Sequence, residues 1–179
     1  MAIENENAID ARALFTFSYG LYIVGTAFEG KLNAQVADAV MQITSDPIYI
    51  TAALNKANYT TELVEKSRKF TVSVFSSDVE MPFIGIFGFR SGRSEDKFAK
   101  CKYRLTESGL PIVTEHVVAA VEAEVSDIID VQTHKLVIGK VISAEVIAPG
   151  EVLTYADYHK VKKGKSPAGA PSAIFNNLK

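Results

Sequence analysis

IYITAALNKANYTTELVEKSRKFTVSVF, residues 48–75, sets the architecture. Ile48 to Leu54 is rich in β-branched and aromatic residues and reads as a strand. Phe70 to Phe75 alternates with period two and reads as a second strand. Between them, residues 60–68 (TTELVEKSR) form one short helix, with Asn58 or Thr60 as N-cap and Glu62 in its first turn. Strand, brief helix, strand is the grain of the chain on both sides. The alternation of strands with helices of 10–15 residues that marks a parallel sheet is missing.

Upstream, residues 7–18 show Ile9, Ala13 and Phe17 at spacings of four, which predicts a short amphipathic helix. Tyr22 to Ala27 reads as a strand, followed by a turn at Glu29-Gly30-Lys31. Val36 to Thr44 fits helix or strand equally and ends at the Ser45-Asp46-Pro47 turn. Downstream, residues 81–93 (MPFIGIFGFRSGR) hold glycines and a proline and read as a loop. Ser94 is placed as the cap of a brief helix, SEDKFAK. Ser108 to Pro111 is a turn. Strands are expected at 112–114, 117–126 and 134–147, with a bend near Gly139. At least six short strands with brief helices between them predict a mainly β (α+β) fold, an antiparallel barrel with helical excursions. Residues 1–160 form this domain. Residues 161–179, basic and then rich in Pro, Gly, Ala and Ser, are expected to be an extended or mobile tail.

The chain has 179 residues, 47% hydrophobic and 22% charged, within the ordinary range for globular domains. A domain of about 150 residues buries roughly 70% of its unfolded surface, so a core needs no staples. A single cysteine, Cys101, excludes an internal disulfide framework and a multi-cysteine metal cluster within one chain. A net charge of −2 argues against a nucleic-acid partner. The opening MAIENENAIDARALF lacks the basic start and apolar run of a signal peptide. No apolar stretch of about 18 residues is present, so no membrane span is expected. A reducing, cytoplasmic setting suits the free cysteine.

Several segments carry possible chemistry. Gly25 to Lys31 has the G-x4-G-K spacing, but Leu32 stands where a P-loop needs a magnesium-binding hydroxyl. A hairpin turn explains it better. At Asn55 to Glu62 a strand yields to a helix N-terminus, where backbone N–H groups hold phosphate monoesters. Lys56, Thr60 and Thr61 add donors there; simple capping accounts for the same residues. Ser91 to Phe98 groups Arg93, Lys97 and a further helix start, either as an anion contact or as a solvated turn. His116, His134 and His159 share no metal-ligand spacing.

The order of these segments is what is distinctive. Ser18-Tyr19-Gly20 leads through the hairpin to Asn33-Ala34-Gln35-Val36-Ala37. Thr44-Ser45-Asp46-Pro47, Asn55…Thr60, FTVSVFS, Pro82-Phe83-Ile84-Gly85 and SGRSEDKF follow. Thr133-His134, Ile138 to Val141 and Thr154 to His159 complete the series. Over about residues 8–171 the chain resembles the flavin reductase-like, FMN-binding split-barrel family. Within it, the chain is similar to flavoredoxins and to the flavoprotein half of high-molecular-weight rubredoxins.

The resemblance implies a homodimer with FMN near the subunit interface and NAD(P)H as electron donor. It implies a flavin-binding loop at Asn33, Ala34, Gln35, Ala37 and Asp38, and a ribityl and phosphate turn at Asn55, Asn58, Tyr59 and Thr60. A second flavin loop falls at Ser91, Gly92, Arg93 and Lys97. Ala34 replaces the family's usual glycine. Asp38 would either oppose the phosphate or accept from a ring or ribityl donor. Lys97 and Arg93 would stabilise reduced flavin, and His134 would flank the face where nicotinamide docks. The alternatives are an electron-transfer protein serving a separate rubredoxin or reductase, and a barrel that binds no flavin.

Overall fold

The computed structural model describes residues 10–14 and 16–173. Its strands are β1 (Tyr22–Phe28), β2 (Lys31–Ala37), β3 (Val40–Ser45), β4 (Ile48–Asn55), β5 (Lys69–Phe75), β6 (Tyr103–Leu105), β7 (Pro111–Val113), β8 (Val117–Val131) and β9 (His134–Val146). Its helices are α1 (Ala11–Leu14), α2 (Tyr59–Ser67), α3 (Met81–Gly88) and α4 (Tyr155–Lys160). Seven strands make one antiparallel sheet in the order β2-β1-β5-β8-β9-β4-β3. The sheet curls until β2, at one end, comes into contact with β4 near the other, and Ala53 N, donating to Ala39 O at 2.9 Å, carries the β3–β4 ladder one step toward β2. The sheet does not close, so the expected split barrel is the architecture.

Glu29 and Gly30 take φ of 48° and 76°, the paired positive values of a tight hairpin turn, between β1 and β2. Lys31 therefore opens a strand, and the G-x4-G-K spacing is a turn. The barrel interior holds Phe70, Val72, Val24, Leu54 and Val137, and Val64 of α2 closes one end. Each such side chain contributes roughly 1.5–3 kcal/mol on burial. A Cβ at Gly139 would stand 2.6 Å from the Phe70 ring. That contact, and no bend, is why glycine sits there: β9 runs unbroken through it. The β8–β9 pairing shifts register twice, past Ser126 on β8 and past Ile142 on β9.

Other expectations are corrected. Residues 81–88 form α3, because Pro82 presets the first turn and burial of Ile84 and Phe87 offsets the helical glycines. Ser94 caps nothing: its hydroxyl turns back to Ser91 O at 3.2 Å. Asp96 Oδ1 instead receives the N–H groups of Phe98 (3.0 Å) and Ala99 (3.3 Å), starting a 3₁₀ turn at Phe98–Lys100. The expected helix over 7–18 narrows to α1, with Phe17 exposed beyond it; Ile9 lies outside the described residues. Residues 161–173 form no regular element, yet they are docked: Ser166 and Ser172 are buried.

Candidate functional site

A cavity of about 470 Å³ opens between β2, the N-terminus of α2, the C-terminal end of α3 and residues 166–172. Strand geometry alternates side chains between faces. Asn33 and Gln35 line the cavity, whereas Ala34 turns away into the apolar cluster around Phe75 and Phe87. The segment expected as a loop is thus strand β2 through Ala37, held by pairing with β1 along its whole length. Only Asp38 and Ala39 leave it.

Asn33 Nδ2 donates to Thr60 Oγ1 at 2.9 Å, a buried bond joining β2 to the first turn of α2. Asn33 Oδ1 and Gln35 Oε1 are buried with no hydrogen-bond partner. Acceptors in that state call for a ligand that brings donors. A Cβ on Gly92 would lie 1.9 Å from Asn33 Oδ1, so the 91–92 turn packs on this amide as only glycine permits. Asn58 caps α2 without a side-chain bond, leaving first-turn N–H groups toward the cavity. Asn55 Oδ1 accepts from Ala57 N at 2.9 Å, and Thr61 Oγ1 donates to Asn55 O at 2.8 Å, shaping the turn.

Asn55, Asn58, Tyr59, Thr60, Ser91, Gly92, Lys97, Ala37, Asp38 and His134 all line the cavity. Arg93 does not. Its guanidinium stacks 4.6 Å from the Tyr59 ring centroid and donates to Glu62 at 2.7 Å. Lys56 pairs with Asp130 at 2.5 Å instead of serving the turn. Lys97 Nζ donates to Ala34 O at 2.7 Å and Phe87 O at 3.4 Å, and burial pushes its pKa down to about 8. Asp38 is buried and accepts a hydrogen bond from Ser172. Counted along β2, it lies roughly 16 Å from Asn33.

Sequence reasoning missed Tyr155, Tyr158, Ser166 and Ser172, which complete the wall at the Asp38 end. Burial raises the pKa of both tyrosines, so both are phenols at neutral pH. Cys101 is half-buried and its thiol is pushed up to about 12 by burial, which makes it a poor nucleophile. Among the described residues no group of His, Cys, Asp and Glu is arranged to hold a metal, and no helix is long and apolar enough to cross a membrane.

An FMN molecule fits these groups. Its ring N–H and ribityl hydroxyls are donors for Asn33 Oδ1 and Gln35 Oε1, and its phosphate suits the α2 N-terminus. Comparison with known proteins points the same way. Residues 14–164 match the family model described as "Flavin reductase like domain". The chain is 46% identical over 162 residues to a ferric-chelate reductase (NAD(P)H) of Archaeoglobus fulgidus, covering 90% of this chain and 96% of that protein. It is 44% identical to a high molecular weight rubredoxin of Moorella thermoacetica, over 92% of this chain and 72% of the relative. An FMN-binding protein of Thermus thermophilus shares the fold with a TM-score of 0.71 and 23% identity, covering 85% and 92% of the two chains.

Proposed function

The chain belongs to the flavin reductase-like family, and from that premise we propose that it is an FMN-binding oxidoreductase that takes hydride from NAD(P)H. The observation that carries this reading is the pair of buried, unpartnered acceptors, Asn33 Oδ1 and Gln35 Oε1, beside the open first turn of α2. Bound FMN supplies hydride acceptance and electron storage.

The protein supplies placement and charge. Thr60, Ser91 and the α2 N–H groups hold the phosphate. Asn33 and Gln35 accept from the ribityl chain and ring. Lys97, fixed by the Ala34 carbonyl, keeps a positive charge beneath β2. His134 Nδ1 lies 2.8 Å from Thr133 Oγ1, which orients the imidazole at the cavity mouth.

A second copy of the chain covers the outer edge at β3, where Met41, Ile43 and Ile48 are 62%, 44% and 46% exposed. Light scattering is expected to show a dimer; a 19.5 kDa species with and without FMN would contradict it. The likeness to a high molecular weight rubredoxin favours a second reading, electron exchange with a separate rubredoxin-type carrier. A reducing, cytoplasmic setting suits both.

An absorbance spectrum before and after anaerobic NADH and NADPH tests these readings. A yellow protein bleached by either nucleotide is the expected result. A flavin reduced only through a protein carrier selects the second reading. A colourless protein that does not take up added FMN sinks both.

A further inference from the structure

Asp38 meets a cavity wall made by α4 and the docked residues 161–173. Tyr155 and His159 stand four residues apart on α4, so they share one face of it, and their rings meet edge-on with centroids 4.4 Å apart. From there a continuous series of contacts runs to the cavity. His159 Nε2 lies 3.5 Å from Ser166 Oγ, and Ser166 bonds Tyr155 Oη. Tyr155 Oη donates to Ser172 Oγ at 2.5 Å, and Ser172 Oγ donates to Asp38 Oδ2. Asp38, Tyr155, Ser166 and Ser172 are buried, whereas His159, at the far end, is half-buried. Tyr19, Tyr155 and His159 all feel the Asp38 charge.

Proton counting fixes the direction of the series. A carboxylate oxygen only accepts, so Ser172 gives its single hydroxyl proton to Asp38. Tyr155 gives its own to Ser172, so toward Ser166 the phenol accepts and Ser166 donates. Ser166 has then spent its proton and accepts from His159, whose Nε2 must carry one. Four donors therefore point the same way, from the imidazole to the carboxylate, and each bond polarises the next. An aligned row of this kind moves a net proton by one short hop at every bond. Burial lowers the pKa of His159, which favours handing a proton on over keeping it. Little solvent reaches Asp38, so the row is its connection to the surface.

We propose that His159, Ser166, Tyr155 and Ser172 form a proton relay to Asp38, and that Asp38 hands the proton to the flavin ring during its reduction. The proposal rests on the hydride-accepting reading above, in which the phosphate sits at the α2 end and the ring points toward Asp38. The nicotinamide C–H bond breaks, and the hydride with both electrons forms an N–H bond on the ring, oxidising NAD(P)H to NAD(P)+. The same two-electron reduction takes up one further proton. Asp38 supplies it once each hydroxyl has passed its proton along the row. His159 gives up the Nε2 proton, and solvent returns it. Rotation of the hydroxyls and of the carboxyl resets the row. Asp38 is the catalytic residue, and the other four act through it.

The test is anaerobic stopped-flow mixing of the FMN-loaded full chain with NADH or NADPH, following flavin absorbance and a pH-indicator dye in weak buffer. In the native chain, bleaching and proton uptake should coincide. His159→Gln keeps an N–H donor for Ser166 but cannot pass a proton on, so its dye trace should lag bleaching at least tenfold. Tyr158 Oη donates to Lys165 O at 2.9 Å, in the same wall but outside the row. Tyr158→Phe should therefore leave the two traces together, whatever its bleaching rate. Traces that separate in the native chain, or stay together in His159→Gln, overturn the proposal, as does an equal lag in Tyr158→Phe. Nitrogen NMR of the full chain, with and without FMN, is a second measurement that needs no variant. A proton on His159 Nε2 at neutral pH is expected; a proton on Nδ1 alone reverses the row and contradicts the relay. Bound flavin that neither nucleotide bleaches fails the functional reading, whereas bleaching with coincident traces in His159→Gln fails only this inference.

Discussion

Lys97 Nζ lies 2.7 Å from the carbonyl oxygen of Ala34, so a buried ammonium pins the middle of β2 between Asn33 and Gln35. Burial holds its pKa at about 8, whereas an unfolded lysine titrates near 10.4. Between those values the unfolded chain binds more protons than the native one, so this lysine's contribution to stability rises with pH. Below about pH 8 its full desolvation penalty is present. Urea unfolding at pH 7.5 and 9.5 should show the native chain gaining roughly 2 kcal/mol relative to Lys97→Met across that interval. A stability difference between the two that does not change with pH would refute the assignment.

Gly92 is the point where the 91–92 turn touches the candidate flavin site. An added methyl would fall 1.9 Å from Asn33 Oδ1, far inside any real contact, and Asn33 is held by its bond to Thr60. Gly92→Ala should therefore move the amide and weaken FMN binding at least tenfold, by fluorescence titration. Gly92 lies in a turn outside both apolar clusters, so the loss of stability should not exceed the roughly 0.5–1.5 kcal/mol that the Asn33–Thr60 bond contributes. Loss of stability without loss of affinity would count against the site.

The Asn33–Thr60 bond invites a double-mutant cycle. Buried neutral hydrogen bonds contribute about 0.5–1.5 kcal/mol net. Asn33→Ala and Thr60→Ala should each lower apo stability, with a coupling of that size between them. Additive effects within about 0.3 kcal/mol would mean that the bond does not bear on the fold.

What was legible in the sequence follows from how local each signal is. Phe70 to Phe75 alternates because one face meets the barrel interior, so period alone placed β5. Asn58 and Thr60 announced the α2 start because capping is a matter of adjacent residues. Residues 81–88 misled, since glycine counts against a helix locally while the burial of Ile84 and Phe87 that overrides it is tertiary. β6 passed unseen because Tyr103, Arg104 and Leu105 are all exposed and show no alternation. In the site, Ala34 was assigned with its neighbours although pleating turns it the other way. Ser166 and Ser172 carry no local mark at all. Their role depends on Asp38 and Tyr155, far away in sequence.

Gly139→Ala should act on stability alone. The new methyl would meet Phe70 at 2.6 Å and Ala123 at 3.0 Å, both inside the barrel. Overpacking of this kind costs about 1–3 kcal/mol. Below the unfolding transition, FMN affinity should stay within about twofold of the native value, because the residues nearest that methyl, Phe70 and Ala123, do not line the cavity. A variant as stable as the native chain would show that Phe70 can yield.

Asp38→Asn separates two accounts of one carboxylate. In one of the two roles that the resemblance implies for Asp38, it opposes the flavin phosphate, in which case the substitution tightens binding. The structure puts Asp38 roughly 16 Å along β2 from Asn33, which marks the α2 end of the cavity. At that separation two unit charges interact by about 0.3 kcal/mol in water and about 1 kcal/mol at an effective dielectric of 20, before screening by salt. The charge effect on FMN affinity should therefore stay under about fivefold. The bond from Ser172 to Asp38 is short-range and buried, so its weakening should dominate. Trypsin provides the readout, because Lys162, Lys163 and Lys165 precede the docked segment. Asp38→Asn is expected to be cut there several-fold faster than the native chain. Unchanged cleavage together with FMN binding tightened more than tenfold would restore the phosphate-opposing role and show that the Ser172–Asp38 bond does not hold the segment.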